Sequence, residues 1–418
     1  NPTHYARLAL LLILTTGLGI FAASFGGTLE RNFHERVLYS TGGDIRVEGI
    51  SLNFTGWSRP MEASYEKLPG VAEATSVYRG IGQDMSRLFG EQFGVLAVDS
   101  DEISDVAWFR DDFADKPLEE ILSGLDAPGD VTGIELPVSA RSIGFKLRPD
   151  RAHPSISLNA RLRDGNGRHF TYPIGALSSE SWQKYEASLE RWPGLGRLKG
   201  CPGLRSVGPR LVRPQLPLTL VSLTLYERDF STRLTAGSII LDEIYVCDLS
   251  GEVIVLDTFA EDSQWGVLHL SPDAVSDDLR SFDGQSDDTV GALMFTWTGG
   301  DAHASRGIYP GSSMSALPVV ASQTFVQDTG HGPGQTIEIE VSGRRMPVTI
   351  VDTFRYFPTL DTANESFLVV GLDGFMAYAN LESTLGEVSP NEMWLDIRGD
   401  GHTELADRMD GDPFDATK

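Results

Sequence analysis

From Leu8 to Leu29 the chain reads LALLLILTTGLGIFAASFGGTL, with no charged side chain and no polar face at the helical period. The hydrocarbon core of a bilayer takes about 20 apolar residues of helix. This run supplies them, and a transmembrane helix is expected over residues 8–29, after an interfacial segment at residues 1–7. A secretory signal is the rival, because Ala22-Ala23-Ser24 offers a cleavage site, although its apolar region should be only roughly 7 to 15 residues long. A soluble core helix would need a polar face, and Thr15, Thr16 and Ser24 do not make one. Arg7 and His4 before the run and Glu30 after it place the N-terminus in the cytoplasm and the bulk of the chain outside the cell membrane. The start at Asn1 rather than Met reads as a piece of a longer protein.

Beyond the apolar run, TLERNFHERVLYSTGGDIRVEG sets Leu29, Phe33, Val37 and Leu38 on one face, so the helix continues outward until a Gly42-Gly43 turn leads into a strand. MEASYEKLPGVAEATSVYRGIGQ predicts a short helix, a Pro69-Gly70 turn and a strand. FGVLAVD is a further strand and DKPLEEILSGL a helix, which makes residues 30–130 the first part of an α+β unit. Over residues 131–310 the pattern changes to short β-rich runs such as SIGFKLR, LTLVSLTLYE and GSIILDEIYV, the texture of a β-sandwich. Asp164 to Gly167, DGNG between two alternating runs, is a hairpin turn; calcium ligation by Asp164 and Asn166 is the other reading, which a turn makes unnecessary. Over residues 311–418 the α+β texture returns, with ALPVVASQTFVQ, a hairpin turning at Ser342-Gly343, FLVVGLDGFMAYANL and NEMWLDIR. The expected fold is an α+β extracytoplasmic domain split by an inserted all-β jelly-roll sandwich and preceded by one transmembrane helix.

Charge narrows the function. With 34 Lys+Arg against 59 Asp+Glu the chain carries a formal charge of −25, which repels nucleic acid and anionic headgroups. Cys201 and Cys247 would be able to pair in an oxidising exterior, and two free thiols are as consistent with the sequence. No HExxH, GxSxG, CxxC or phosphate-cradling loop occurs, and GLGRLKG near Gly194 follows no strand. No catalytic residues are nominated, and the chain reads as not an enzyme. Acidic pairs are common in so acidic a chain and usually form a solvated face. One constellation stands out: GSIILDEIYV carries Asp242 and EVIVLDTF carries Asp257. If these strands lie side by side the two carboxylates would hold a calcium ion; otherwise both face water.

The stretch from NPTHYAR through LALLLILTTGLGIFAASFGGTLERNFHERVLYSTGGDIR resembles the start of a transmembrane repeat in FtsX-like ABC-transporter permeases of the MacB type. SALPVVASQTFVQ, TIEIEVSGRRMPVTIVDTFRYFPTLD, FLVVGLDGFMAYAN and PNEMWL resemble the returning half of the extracytoplasmic domain in that family. The resemblance implies a permease subunit that works with a cytoplasmic ABC ATPase and with further transmembrane helices, none of which this chain contains. LNARLRDGNGRHFTYPIGAL to GSIILDEIYV resembles the second part of a galactose-binding-like jelly roll, as in carbohydrate-binding modules. VIVLDTFAEDSQWGVLHL and VGALMFTW resemble its beginning. End before beginning implies a circularly permuted sandwich, with two incomplete copies as the alternative. In such folds acidic residues at these strand ends hold a structural calcium, which is the implied role of Asp242 and Asp257.

Two other function classes remain. A membrane-anchored or secreted carbohydrate-binding protein would use exposed aromatics, for which Tyr172, Trp182, Tyr185 and Trp192 are the candidates, although aromatics in β-rich segments are more often core. Its partner would be a cell-wall polysaccharide or an extracytoplasmic protein. A glycoside hydrolase would need two carboxylates across a cleft, and the sequence nominates no pair.

Overall fold

The structure is a computed structural model and describes residues 2–50, 62–86, 90–125, 133–190, 214–229, 231–260, 263–282, 291–302, 304–311, 315–360, 365–382, 387–398 and 405. One N-terminal apolar helix is followed by a β-rich remainder. Helix α1 (Pro2–Thr41) is 40 residues long, about 60 Å at 1.5 Å per residue, or twice the hydrocarbon thickness of a bilayer. Its stretch from Ala6 onward is long and apolar enough to cross a membrane, and its apolar window is not covered by the rest of the protein. Within it the hydroxyls of Thr15, Thr16 and Thr28 donate to carbonyls one turn back. Internal satisfaction of this kind is what a helix surrounded by hydrocarbon requires.

After the Gly42-Gly43 turn come β1 (Ile45–Glu48), α2 (Glu62–Tyr65), β2 (Val71–Asp84), β3 (Gln92–Val98), α3 (Ile103–Val106) and α4 (Leu118–Leu122). Strands β2 and β3 pair antiparallel from Val77↔Val98 to Gln83↔Gln92. Val77, Leu96 and Val98 then face Ile103, Ile121 and Leu122 of the two short helices in one buried cluster.

The next strands are β4 (Ile134–Glu135), β5 (Ala140–Pro149), β6 (His153–Arg163), β7 (His169–Leu177), β8 (Gln183–Ser188), β9 (Thr219–Glu227), β10 (Arg233–Leu234), β11 (Gly237–Asp248) and β12 (Val253–Asp257). They continue as β13 (Trp265–Val267), β14 (Asp278–Ser281), β15 (Leu293–Trp297), β16 (Gly300–Asp301) and β17 (Gly307–Pro310). Among the described residues these form two six-stranded sheets, in the orders β14-β15-β11-β5-β8 with β12 on β11, and β13-β17-β9-β6-β7 with β4 on β9, and a two-stranded pair, β10-β16. Alternate residues of the two six-stranded sheets, among them Phe145, Leu147, Leu158, Leu162, Leu223, Leu241 and Phe295, meet in one core. A bulge in β11 at Asp242 breaks the alternation there, so that Leu241 and Ile244 both point inward. The extra residue is an aspartate because its side chain reaches Lys146 rather than the core.

The chain then re-enters the first sheet with β18 (Leu317–Ser322), α5 (Gln323–Thr329), β19 (Thr336–Val341), β20 (Arg344–Phe354), β21 (Phe367–Gly371), α6 (Leu372–Ala379) and β22 (Glu392–Ile397). Ser322 caps α5 by accepting from the Phe325 N–H, and Gly330 ends it in a left-handed conformation. Ser342 and Gly343, both at positive φ, make the tight turn between β19 and β20. The sheet order is β1-β22-β2-β19-β20-β18-β21-β3, and β3 also pairs with β2, so the sheet closes on itself.

Candidate functional site

The residues nominated from the sequence do not converge. Asp242, buried in the β11 bulge, forms an ion pair with Lys146. Asp257 lies opposite Ile244 on the neighbouring strand. Its oxygens accept from the Phe259 N–H at 2.7 Å, the Ser263 hydroxyl at 2.8 Å and the Trp265 indole N–H at 2.9 Å. Each carboxylate therefore has protein donors of its own, and no three His, Cys, Asp or Glu among the described residues are arranged to hold a metal. Tyr172 and Tyr185 belong to the sandwich core and offer no ring to a sugar from outside. The reason is the strand period: both fall on the inward phase of β7 and β8. Trp182 is half-buried, with Arg148 at 5.2 Å and Lys146 at 5.8 Å from its ring. Trp192 and Cys201 lie outside the described residues, and Cys247 is a half-buried free thiol.

What the fold does assemble is a joint at the root of α1. The Tyr39 hydroxyl donates to the Leu360 carbonyl at 2.6 Å, and the Thr359 N–H donates to the Tyr39 carbonyl at 2.7 Å. The Tyr39 ring meets Phe113 edge-on at 5.6 Å, and Trp108, Phe109 and Tyr356 pack on the same Phe113. Each such ring pair contributes about 0.5–1.5 kcal/mol beyond the area it buries. One turn earlier, Arg110 Nη1 donates to Glu35 at 2.7 Å. Below the joint Glu392 is a hub: it accepts from Arg79 Nε at 2.5 Å and Trp394 Nε1 at 3.1 Å, and Arg46 lies 3.7 Å away. Arg79 also donates to the Thr359 hydroxyl at 2.6 Å, which ties the hub back to the Tyr39 contact. Burial draws the Arg46 guanidinium below its ordinary pKa, although Glu392 opposes that shift.

A second junction joins the sandwich to the eight-stranded sheet. Val221, Leu268, Leu270 and Tyr309 of the sandwich share a hydrophobic cluster with β18 to β21 and α6. The Ser222 hydroxyl donates to the Leu381 carbonyl, and Arg161 Nε donates to the Asn380 carbonyl at 3.3 Å. Burial pushes the Arg161 pKa down to about 10, opposed by Glu387 and Glu382. Burial works against the charge of Glu387 as well, yet its hydrogen bond from His169 and the nearby Arg161 hold it below the usual carboxylate range. Buried charges of this sort lock one docking geometry, because any shift strands a charge without its partner.

The Asp164 hairpin borders this junction. Asp164 is buried; its Oδ1 accepts from the Asn166 and Arg168 N–H groups, and its Oδ2 accepts from the Gln215 N–H at 3.0 Å. Three backbone donors satisfy this carboxylate. Asp164→Ala will leave them without it and cost about 2–3 kcal/mol, read as a lower midpoint in thermal unfolding.

The joint was missed in the sequence. Its only advance signal is aromatic density: WFRDDF from Trp108 to Phe113 and RYF from Arg355 to Phe357 are unusually ring-rich, but nothing local shows that they meet Tyr39. No protein-family model, no curated protein and no solved structure matches the chain.

Proposed function

We propose that this chain is the first membrane span and extracytoplasmic part of an ABC-transporter permease of the FtsX/MacB type. In this reading α1 crosses the cell membrane with its start in the cytoplasm, and the α+β unit lies outside, split by a jelly-roll-like sandwich. A separate cytoplasmic ATPase hydrolyses ATP and the remaining transmembrane helices complete the permease. The observation that carries the proposal is the continuity of α1 into a joint fixed by Tyr39, Glu35, Thr359 and Gly42. A helix held rigidly at its outer end transmits tilt as a lever, whereas a mere anchor gains nothing from such a fixed root. The two-state change that transport or mechanical signalling needs can then pass from the span to the sheet without a flexible linker. A membrane-anchored carbohydrate-binding protein is less well supported, because Tyr172 and Tyr185 lie inside the sandwich.

The test is purification of the tagged full-length gene product from membranes in mild detergent. An ATP-hydrolysing subunit should co-purify, and Arg31→Pro, which interrupts α1 between span and joint, should uncouple its ATPase rate from the extracytoplasmic part. Recovery of no nucleotide-hydrolysing partner rejects the proposal.

A further inference from the structure

A cleft of about 350 Å³ opens where the Asp164 hairpin of the sandwich meets the start of α6 and the adjoining ends of β2 and β3. That volume lies in the range of small-molecule sites. Glu62, Asp99, Glu102 and Asp373 bring four carboxylates to its lining, beside the apolar side chains of Leu372 and Met376.

Two independent observations point to a ligand. The first is charge without a cationic partner: among the described residues no Lys, Arg or His forms an ion pair with Glu62, Asp99 or Glu102, and only Asp99 has backbone donors, the Asp101 and Glu102 N–H groups on its Oδ1 at 2.9 and 3.1 Å. Partial burial, together with Asp99, Glu62 and Glu66, pushes the Glu102 carboxyl up to about 7. The second is Ser76. It directly precedes Val77, whose partner Val98 directly precedes Asp99; it is only 3% exposed, and it lines the cleft with Asp99. Its hydroxyl has no hydrogen-bond partner among the described residues. The hydroxyl is therefore free to pair with a donor that enters the cleft.

The lining also selects the kind of cation. A metal ion needs oxygens converging at roughly 2.0–2.6 Å, and these carboxylates make no such group. An ammonium is matched differently, because it carries three donors and no acceptor and can reach several oxygens spread around it. We propose that the cleft binds a small organic cation, an ammonium on a short carbon chain, held by Glu62, Asp99, Glu102 and the Ser76 hydroxyl with its carbons on Leu372 and Met376.

The test is calorimetric titration of the full chain in detergent with 1,5-diaminopentane at about pH 8, with pentane-1,5-diol as the uncharged control. Saturable binding of the diamine and none of the diol is expected. Glu62→Gln combined with Glu102→Gln should weaken binding at least about tenfold, and Ser76→Ala about threefold. Lowering the pH to about 5.5 should weaken it too, since a carboxyl titrating near 7 is then neutral. Near-UV circular dichroism reports whether each variant keeps its fold, and Ser76→Ala with the diol comparison carries the test if the double variant does not. No saturable diamine binding, equal binding of the diol, or unchanged affinity in the folded variants overturns the proposal.

Discussion

Arg306→Met will destabilise the protein by about 3–5 kcal/mol, the cost of removing one partner from a buried ion pair. Arg306 and Asp277 are both fully buried, and Nη1 of Arg306 donates to Asp277 Oδ1 at 2.5 Å. The same oxygen accepts from the Thr298 N–H at 2.9 Å and the Thr298 hydroxyl at 3.1 Å. These two neutral donors soften the loss of the guanidinium without replacing its charge. Met approximates the aliphatic stem of Arg, so the cost is chiefly electrostatic rather than a cavity. The second half of the prediction follows from that. Asp277→Leu placed on Arg306→Met should recover part of the lost stability, because an apolar pair leaves no buried charge behind, while the Thr298 N–H and hydroxyl lose their acceptor. Urea unfolding of both single variants and the double variant closes the cycle. If the double variant is as unstable as the sum of the singles, packing around Arg306 and not its charge is what matters. For a protein whose net stability is typically about 5–15 kcal/mol, the single change is a large fraction of the whole.

Gly42→Ala will cost about 2–5 kcal/mol and will act at the joint. Gly42 has φ +87°, where an L side chain costs roughly 1–2 kcal/mol. A Cβ there would also stand 2.8 Å from two atoms of the Trp394 ring and 2.8 Å from the Thr359 methyl, which adds about 1–3 kcal/mol of overpacking. Neither neighbour yields easily. Trp394 is fully buried and bonded to Glu392, and Thr359 is itself at φ 68° while bonded to Tyr39 and Arg79. Gly49→Ala supplies the comparison, since Gly49 has φ +73° with nothing within 4 Å of an added Cβ. It should show only the backbone part. Thermal unfolding gives both values, and Trp fluorescence with limited proteolysis near Arg46 shows whether the root of α1 has loosened. Equal effects of the two changes would mean that Trp394 does not brace the helix.

The elements themselves were largely legible. The uncharged run at Leu8 to Leu29 announced α1, the alternation in TIEIEV announced β19, and the short apolar runs in FGVLAVD and NEMWLDIR announced β3 and β22, because these patterns are local properties. Ser342-Gly343 marked its turn for the same reason. Partnership across the fold was not legible. Asp242 and Asp257 do lie on adjacent strands, but the bulge that turns Asp242 toward Lys146 is a matter of pairing register, which the chain does not display one strand at a time. Tyr172 and Tyr185 were ambiguous because a ring on a strand can point either way, and only the second sheet decides which way is inside. The joint was invisible for the most physical of reasons: Tyr39 and Leu360 stand 321 residues apart.

That separation also dictates an order of assembly. As the chain emerges, β2 and β3 can pair at once, but their remaining edges wait for β19, β21 and β22, which follow the whole sandwich. The sandwich can complete itself first, since among the described residues its strand pairings are all internal to residues 134–310. Until the last strand arrives, the first strands present open backbone to other chains, the state in which proteins aggregate. Non-local pairing of this kind is slow. With α1 in the membrane, as proposed above, the chain would meet that interval at a membrane surface, where diffusion in two dimensions brings like copies together, so crowding before closure is the hazard this topology would carry.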